Sequence, residues 1–155
     1  MQTKNRMLQK VVNDYIDAGE EWPTTARHVA AWAVREKRWQ PHPSSLVSQC
    51  AEALATAMRE EYIVDPQGRP VRAKHAARIE QEVLWADIRS ATREHMEVAF
   101  KQRRKAILGD CHQLQLDLDS FNENRSAAHP IQMGFDFTRD LLELEALANA
   151  DKNVA

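Results

Sequence analysis

Four short polar side chains, Ser44, Ser45, Ser48 and Gln49, open a helical segment just after the break at Pro41 and Pro43. Hydroxyls and a carboxamide donate and accept hydrogen bonds, which suits them to the edges of nucleic-acid bases. Gln pairs with adenine and Ser with several bases. The same residues also make good helix caps, and a helix N-terminus favours phosphate. A second set, Arg69, Arg72 and Lys74, crowds the segment YIVDPQGRPVRAKH from Tyr62 to His75. Guanidinium and ammonium groups placed there suit phosphate oxygens or a minor groove. Arg27 adds a cation near the start of a preceding helix. Arg35, Lys37 and Arg38 at its end equally complement the helix dipole.

The elements that position these groups are mostly helices. Leu8, Val11, Val12, Tyr15 and Ile16 recur at helical spacing over residues 3 to 18, and Gly19 ends the run. Thr24 or Thr25 caps a second helix to about Arg38, with Val29, Ala30, Ala33 and Val34 inward. Ser44 or Ser45 caps a third, to about Glu61, with Leu46, Val47, Cys50, Leu54, Ala57 and Met58 inward. The basic segment that follows reads as a hairpin. Pro66 suits the second position of a turn, and Gly68 can take positive φ where the chain swings back. Tyr62, Ile63 and Val64 form one β-prone arm, with Val71 on the other.

From about Ala76 to Arg125 there is no Pro and one Gly, which predicts one long helix. Phe100, Ile107, Leu114 and Phe121 recur every seven residues, with Arg104, Cys111 and Leu118 at the intervening steps. That is a coiled-coil seam with one polar intruder. Because the seam runs past Gly109 without a skip, the helix is expected to be continuous there. Leu84, Ile88, Ala91, His95 and Val98 form a separate stripe. The short cluster Lys101, Arg103, Arg104 and Lys105 reads as a solvated face. Residues 126 to 137 read as a loop. Asp136 or Thr138 caps a short last helix carrying Leu141, Leu142, Leu144 and Leu147, with the last six residues frayed.

Helix, helix, helix, basic hairpin over residues 3 to 75 resembles the winged helix-turn-helix superfamily. The resemblance implies a recognition helix at 44 to 61 and a wing at 62 to 75, with duplex DNA as the partner. The expected architecture is mainly α. A winged-helix domain spans 1–75, and a long coiled-coil-like helix with a short C-terminal helix spans 76–150. A seam of Phe100, Ile107, Cys111, Leu114, Leu118 and Phe121 would bring two copies together, so that two reading helices meet two half-sites. The expected function is that of a dimeric, bacterial-type transcriptional regulator. The alternative is an interaction module whose winged helix and acidic coil scaffold a larger assembly, since winged helices also bind protein.

Composition narrows the remaining classes. The 155 residues include four Gly and six Pro and are rich in helix formers. The net charge of −2 hides an asymmetry. Residues 1–78 hold 12 Lys/Arg against 9 Asp/Glu, and residues 79–155 hold 9 against 14. A basic first half and an acidic second half fit DNA at one end and possible protein contacts at the other. No HExxH, CxxC with His, EF-hand loop, P-loop, GxGxxG or GxSxG is present, so no metal, cofactor or catalytic role is expected. Cys50 and Cys111 stand apart, as thiols do in a reducing compartment. No secretory h-region and no bilayer-length apolar run are seen, which points to the cytoplasm.

Overall fold

A computed structural model describes residues 3–154. The chain divides into two compact units, residues 1–57 and 58–155. It is mainly helical, with two small antiparallel sheets.

The first unit holds α1 (Lys4–Asp17), α2 (Ala26–Arg35) and, after a 3-10 turn at Pro43–Ser45, most of α3 (Leu46–Arg59). Thr3 and Thr25 cap the first two helices, accepting from the backbone N–H of Arg6 and His28. Gly19 takes φ 78° just beyond α1, as its place in the sequence predicts. Tyr15, Trp32 and Ala33 are buried together, with Val11 and Val29 against them. Tyr15 meets Trp32 edge-on at 5.5 Å. Its hydroxyl donates to the Glu21 carbonyl at 3.0 Å, so the buried ring keeps its polar end satisfied.

The third helix departs from expectation. Ser44 and Ser45 lie in the 3-10 turn, and His42 precedes it as the cap. No residue of α3 is buried. Leu46 is 69 % and Val47 81 % exposed, so the expected inward set does not form a core. Helical periodicity specifies which side chains share a face; it does not specify what covers that face.

In the second unit, β1 (Tyr62–Val64) and β2 (Pro70–Arg72) form a hairpin with Ile63 opposite Val71. It occupies the segment read as a wing. Gly68 turns the chain at φ 81° and donates to the Asp65 carbonyl. The Asp65 carboxylate accepts from the backbone N–H groups of Gln67 and Arg69 at 3.0 and 2.8 Å, which locks the turn.

The long helix does not begin at Ala76. A second hairpin stands there instead, β3 (Lys74–Ile79) paired with β4 (Glu82–Asp87), and His75 opposes Ala86. Lys74 therefore belongs to β3 and not to the first hairpin, and the expected stripe through Leu84, Ile88 and Ala91 is not helical. Segments rich in Ala, Arg, Leu and Glu favour a helix locally, and the Glu80-Gln81 turn carries neither Gly nor Pro. Tertiary packing overrides that preference. Ala73 and Ala77 are fully buried, and these small side chains let a helix approach the strand closely.

That helix is α4 (Arg93–Arg125), capped by Thr92 and unbroken at Gly109, as the uninterrupted seam predicts. At about 1.5 Å per residue it runs roughly 50 Å. It packs on β3 through buried Ala99 and His95. The His95 Nε2 donates to the His75 carbonyl at 2.9 Å. One helical step further, Gln102 clasps the edge of β3. It accepts from the Arg78 N–H at 2.7 Å and donates to the Arg78 carbonyl at 2.8 Å. Asn122 makes the same paired contact with the backbone of Ile131, both bonds at 2.8 Å, and so holds the following loop. The last helix, α5 (Thr138–Val154), includes the residues expected to fray. It buries none of its side chains.

Candidate nucleic-acid interface

The residues expected to read bases lie in the first unit. Ser44, Ser45, Ser48 and Gln49 line one open groove of about 490 Å³ together with Lys4, Arg38, Gln40 and His42. Three of them are already linked. The Ser44 hydroxyl lies 2.6 Å from His42 Nδ1, the Ser45 hydroxyl donates to the His42 carbonyl at 2.6 Å, and Gln49 donates to Ser45 at 2.9 Å. This network fixes the turn into α3 and orients Gln49, whose carboxamide oxygen stays free for a donor. Ser48 has no side-chain partner among the described residues. Arg38 pairs with Asp14 at 3.4 Å, which reduces its charge on the groove. Arg27 is exposed in the first turn of α2.

The cations expected on one wing have three different fates in the second unit. Arg69 is tied to Asp65 at 2.8 Å. The backbone N–H of Arg69 first, and then its guanidinium, hold the Asp65 carboxyl below its ordinary value. Lys74 lies between Glu61 at 3.0 Å and Asp87 at 3.2 Å. Glu61 first, then Asp87, raises its affinity for the proton. Asp87 also takes Arg89 at 2.7 Å, and that bond is the main reason its carboxyl lies far below the usual range. Arg72 alone of the three has no carboxylate partner among the described residues.

Arg72 does not stand alone in space. It lines a cleft of about 200 Å³ with Arg59, Lys74, His75, Trp85 and Arg103. Arg59, the last residue of α3, lies over the Trp85 ring with its guanidinium carbon 5.5 Å from the ring centroid. Arg103 comes from α4, two helical turns beyond buried His95 and one beyond Ala99, on the face that packs on β3. Sequence reasoning missed both Arg59 and Arg103. The cue for Arg103 was its spacing from His95 and Ala99, hidden while the segment from Ala76 onward was read as helix. Arg59 carried no local cue, since only the β4 strand brings Trp85 to it.

The seam residues are on α4 as expected. Phe100, Ile107, Leu114 and Phe121 are each 45 to 58 % exposed, while Cys111 and Leu118 are half-buried. Among the described residues, no three His, Cys, Asp or Glu side chains converge as a metal site would require, and no helix is long and apolar enough to cross a membrane. No family model, no curated protein and no solved structure matches this chain.

Proposed function

We propose that this protein binds duplex DNA without catalysis, as a homodimer acting in transcription regulation on a winged-helix plan. The observation that carries this reading is the groove at the start of α3. There Ser44, Ser45, Ser48 and Gln49 come together unburied, with Lys4 and His42 beside them. Polar groups held in place by a capping network are suited to base edges, because little side-chain entropy is lost on contact. Arg27 and Arg72 supply cations for the phosphate backbone. The exposed seam of α4 beyond Phe100, from Ile107 to Phe121, supplies the dimer, since one chain leaves a long apolar stripe open to water.

A gel shift with duplex genomic fragments at two salt concentrations tests this. Binding that weakens steeply with salt supports it. Gln49→Ala should relax selection at one base pair, by about 1–3 kcal/mol for the preferred base. Identical sites selected by parent and variant from a random library would refute the assignment of Gln49. A second reading, an interaction module, is favoured by α5, whose Leu141, Leu142, Leu144 and Leu147 are all exposed. Tight protein association with no DNA binding at low salt would establish it in place of the first.

A further inference from the structure

Lys74 brings its own counter-ions to the cleft of the second unit, but three guanidinium groups do not. Among the described residues no carboxylate lines this cleft directly; Glu61 and Asp87 stand behind Lys74. Arg59, Arg72 and Arg103 have no ion-pair partner among the described residues, and they arrive from three separate elements. Each is anchored. The Trp85 ring supports Arg59 from its face, which leaves the in-plane N–H groups of the guanidinium free. Arg72 sits where its own carbonyl is held by His75 Nε2 at 2.8 Å. Arg103 follows Gln102, which is clasped to β3. Like charges held in one cleft repel each other, and an oxyanion relieves that repulsion.

The shape says more about the anion. A second cavity of about 310 Å³ adjoins the first and shares Arg72, His75 and Arg103 with it. Its other walls are Tyr62, Pro70, Val71, Ile88 and Phe100, which are largely apolar. We propose that the two cavities together bind a nucleotide phosphate, with the phosphate among Arg59, Arg72 and Arg103 and the organic part against Tyr62 and Phe100. A phosphate turns its oxygens in tetrahedral directions and can meet guanidinium forks that arrive from three sides, whereas both oxygens of a carboxylate lie in one plane. The nucleotide can be free or part of a strand; the phosphate chemistry is the same. This site does not depend on α3 reading bases.

The test uses the full chain labelled with nitrogen-15. The indole N–H resonance of Trp85, assigned with Trp85→Phe, is followed during titration with inorganic phosphate, adenosine monophosphate and a short oligothymidylate. Sodium chloride at matched ionic strength is the control. Saturable shifts are expected for the monophosphate or the oligonucleotide, and weaker ones for inorganic phosphate. Arg72→Gln and Arg103→Gln should each weaken binding roughly tenfold. Lys105→Gln, exposed on the same helix and outside both cavities, should change nothing. If Arg103→Gln loses its dispersed spectrum, Arg103→Lys keeps the charge and removes the fork, and should still weaken binding. Displacement of the monophosphate by the oligonucleotide identifies a strand as the source, and its absence identifies a free nucleotide. No saturable shift with any probe, or shifts that the Arg variants leave intact, would overturn the proposal. Gln49→Ala should leave this titration unchanged, so the site and the reading of bases by α3 fail separately.

Discussion

Three cations lie close together in the sequence at Arg69, Arg72 and Lys74, and they should not contribute equally to DNA binding. A cation releases counter-ions from DNA only if it arrives with net charge to offer. Each free contact steepens the slope of log K against log salt by about 0.9. Three equivalent cations would therefore give a change of roughly 2.7 when all are replaced by Ala. The structure lowers that figure. Arg69 carries Asp65 with it at 2.8 Å, and Lys74 lies between Glu61 and Asp87. Bringing an ion pair to a phosphate brings a carboxylate as well, and the pair has no net charge. Among the described residues, Arg72 alone of the three has no carboxylate partner. We expect Arg72→Ala to make the slope shallower by about 0.9, and Arg69→Ala and Lys74→Ala to change it by much less. The triple variant should resemble Arg72→Ala. Fluorescence anisotropy with one labelled duplex at several salt concentrations measures all four slopes. Equal losses from the three single variants would show that these pairs open on DNA and that their geometry in the free protein is not decisive. Exposed pairs are individually weak, so this outcome is physically accessible and the experiment is a real test.

Ile107→Asp with Leu114→Asp should convert a dimer into a monomer; light scattering on the parent at tens of micromolar decides it, and a monomeric parent would remove the seam from the argument. Gln102→Leu should cost about 1 kcal/mol, because the freed Arg78 N–H and carbonyl lie at an exposed strand edge where water can replace the clasp. Hydrogen exchange at the Arg78 amide should quicken, and an unchanged rate would show that the clasp is idle. The lowered carboxyl of Asp87 stabilises the fold at pH values above its ordinary 3.8, and that contribution is lost as pH falls through the lower folded value. Asp87→Asn should flatten the acid side of the stability curve below about pH 4, seen by circular dichroism, and reduce without abolishing any loss at high pH from Lys74 deprotonation, because Glu61 still holds Lys74. An acid limb identical in parent and variant would show that Asp87 does not carry it.

Helices α1 and α2, the turn at Pro66 and Gly68, the continuity of α4 past Gly109 and the loop before α5 were all legible in the sequence. Each depends on neighbours a few residues away: a Thr cap, a glycine at positive φ, a proline with fixed φ, a heptad that does not skip. The polar groove at the start of α3 was legible in part, because Ser44, Ser45, Ser48 and Gln49 lie within two helical turns. The second hairpin was not. Its strands are composed of residues that favour a helix, and its turn is Glu-Gln. Buried Ala73 and Ala77 make sense only with α4 lying against them. The basic cleft was hidden for the same reason. Arg59, Arg72, Trp85 and Arg103 are spread over more than forty positions, and only the pairing of β3 with β4 and the packing of α4 on β3 bring them together. Likewise, Arg69 and Lys74 have the same charge as Arg72 in the sequence, and only their carboxylate partners separate them. The sequence by itself determined α1 and α2 with their Thr caps, the turn at Pro66 and Gly68, and which residues share a helical face, because short-range sterics and hydrogen bonding set these. The tertiary structure alone decided which segment became strand and which cations remained unpaired, because both depend on contacts between residues far apart in the chain.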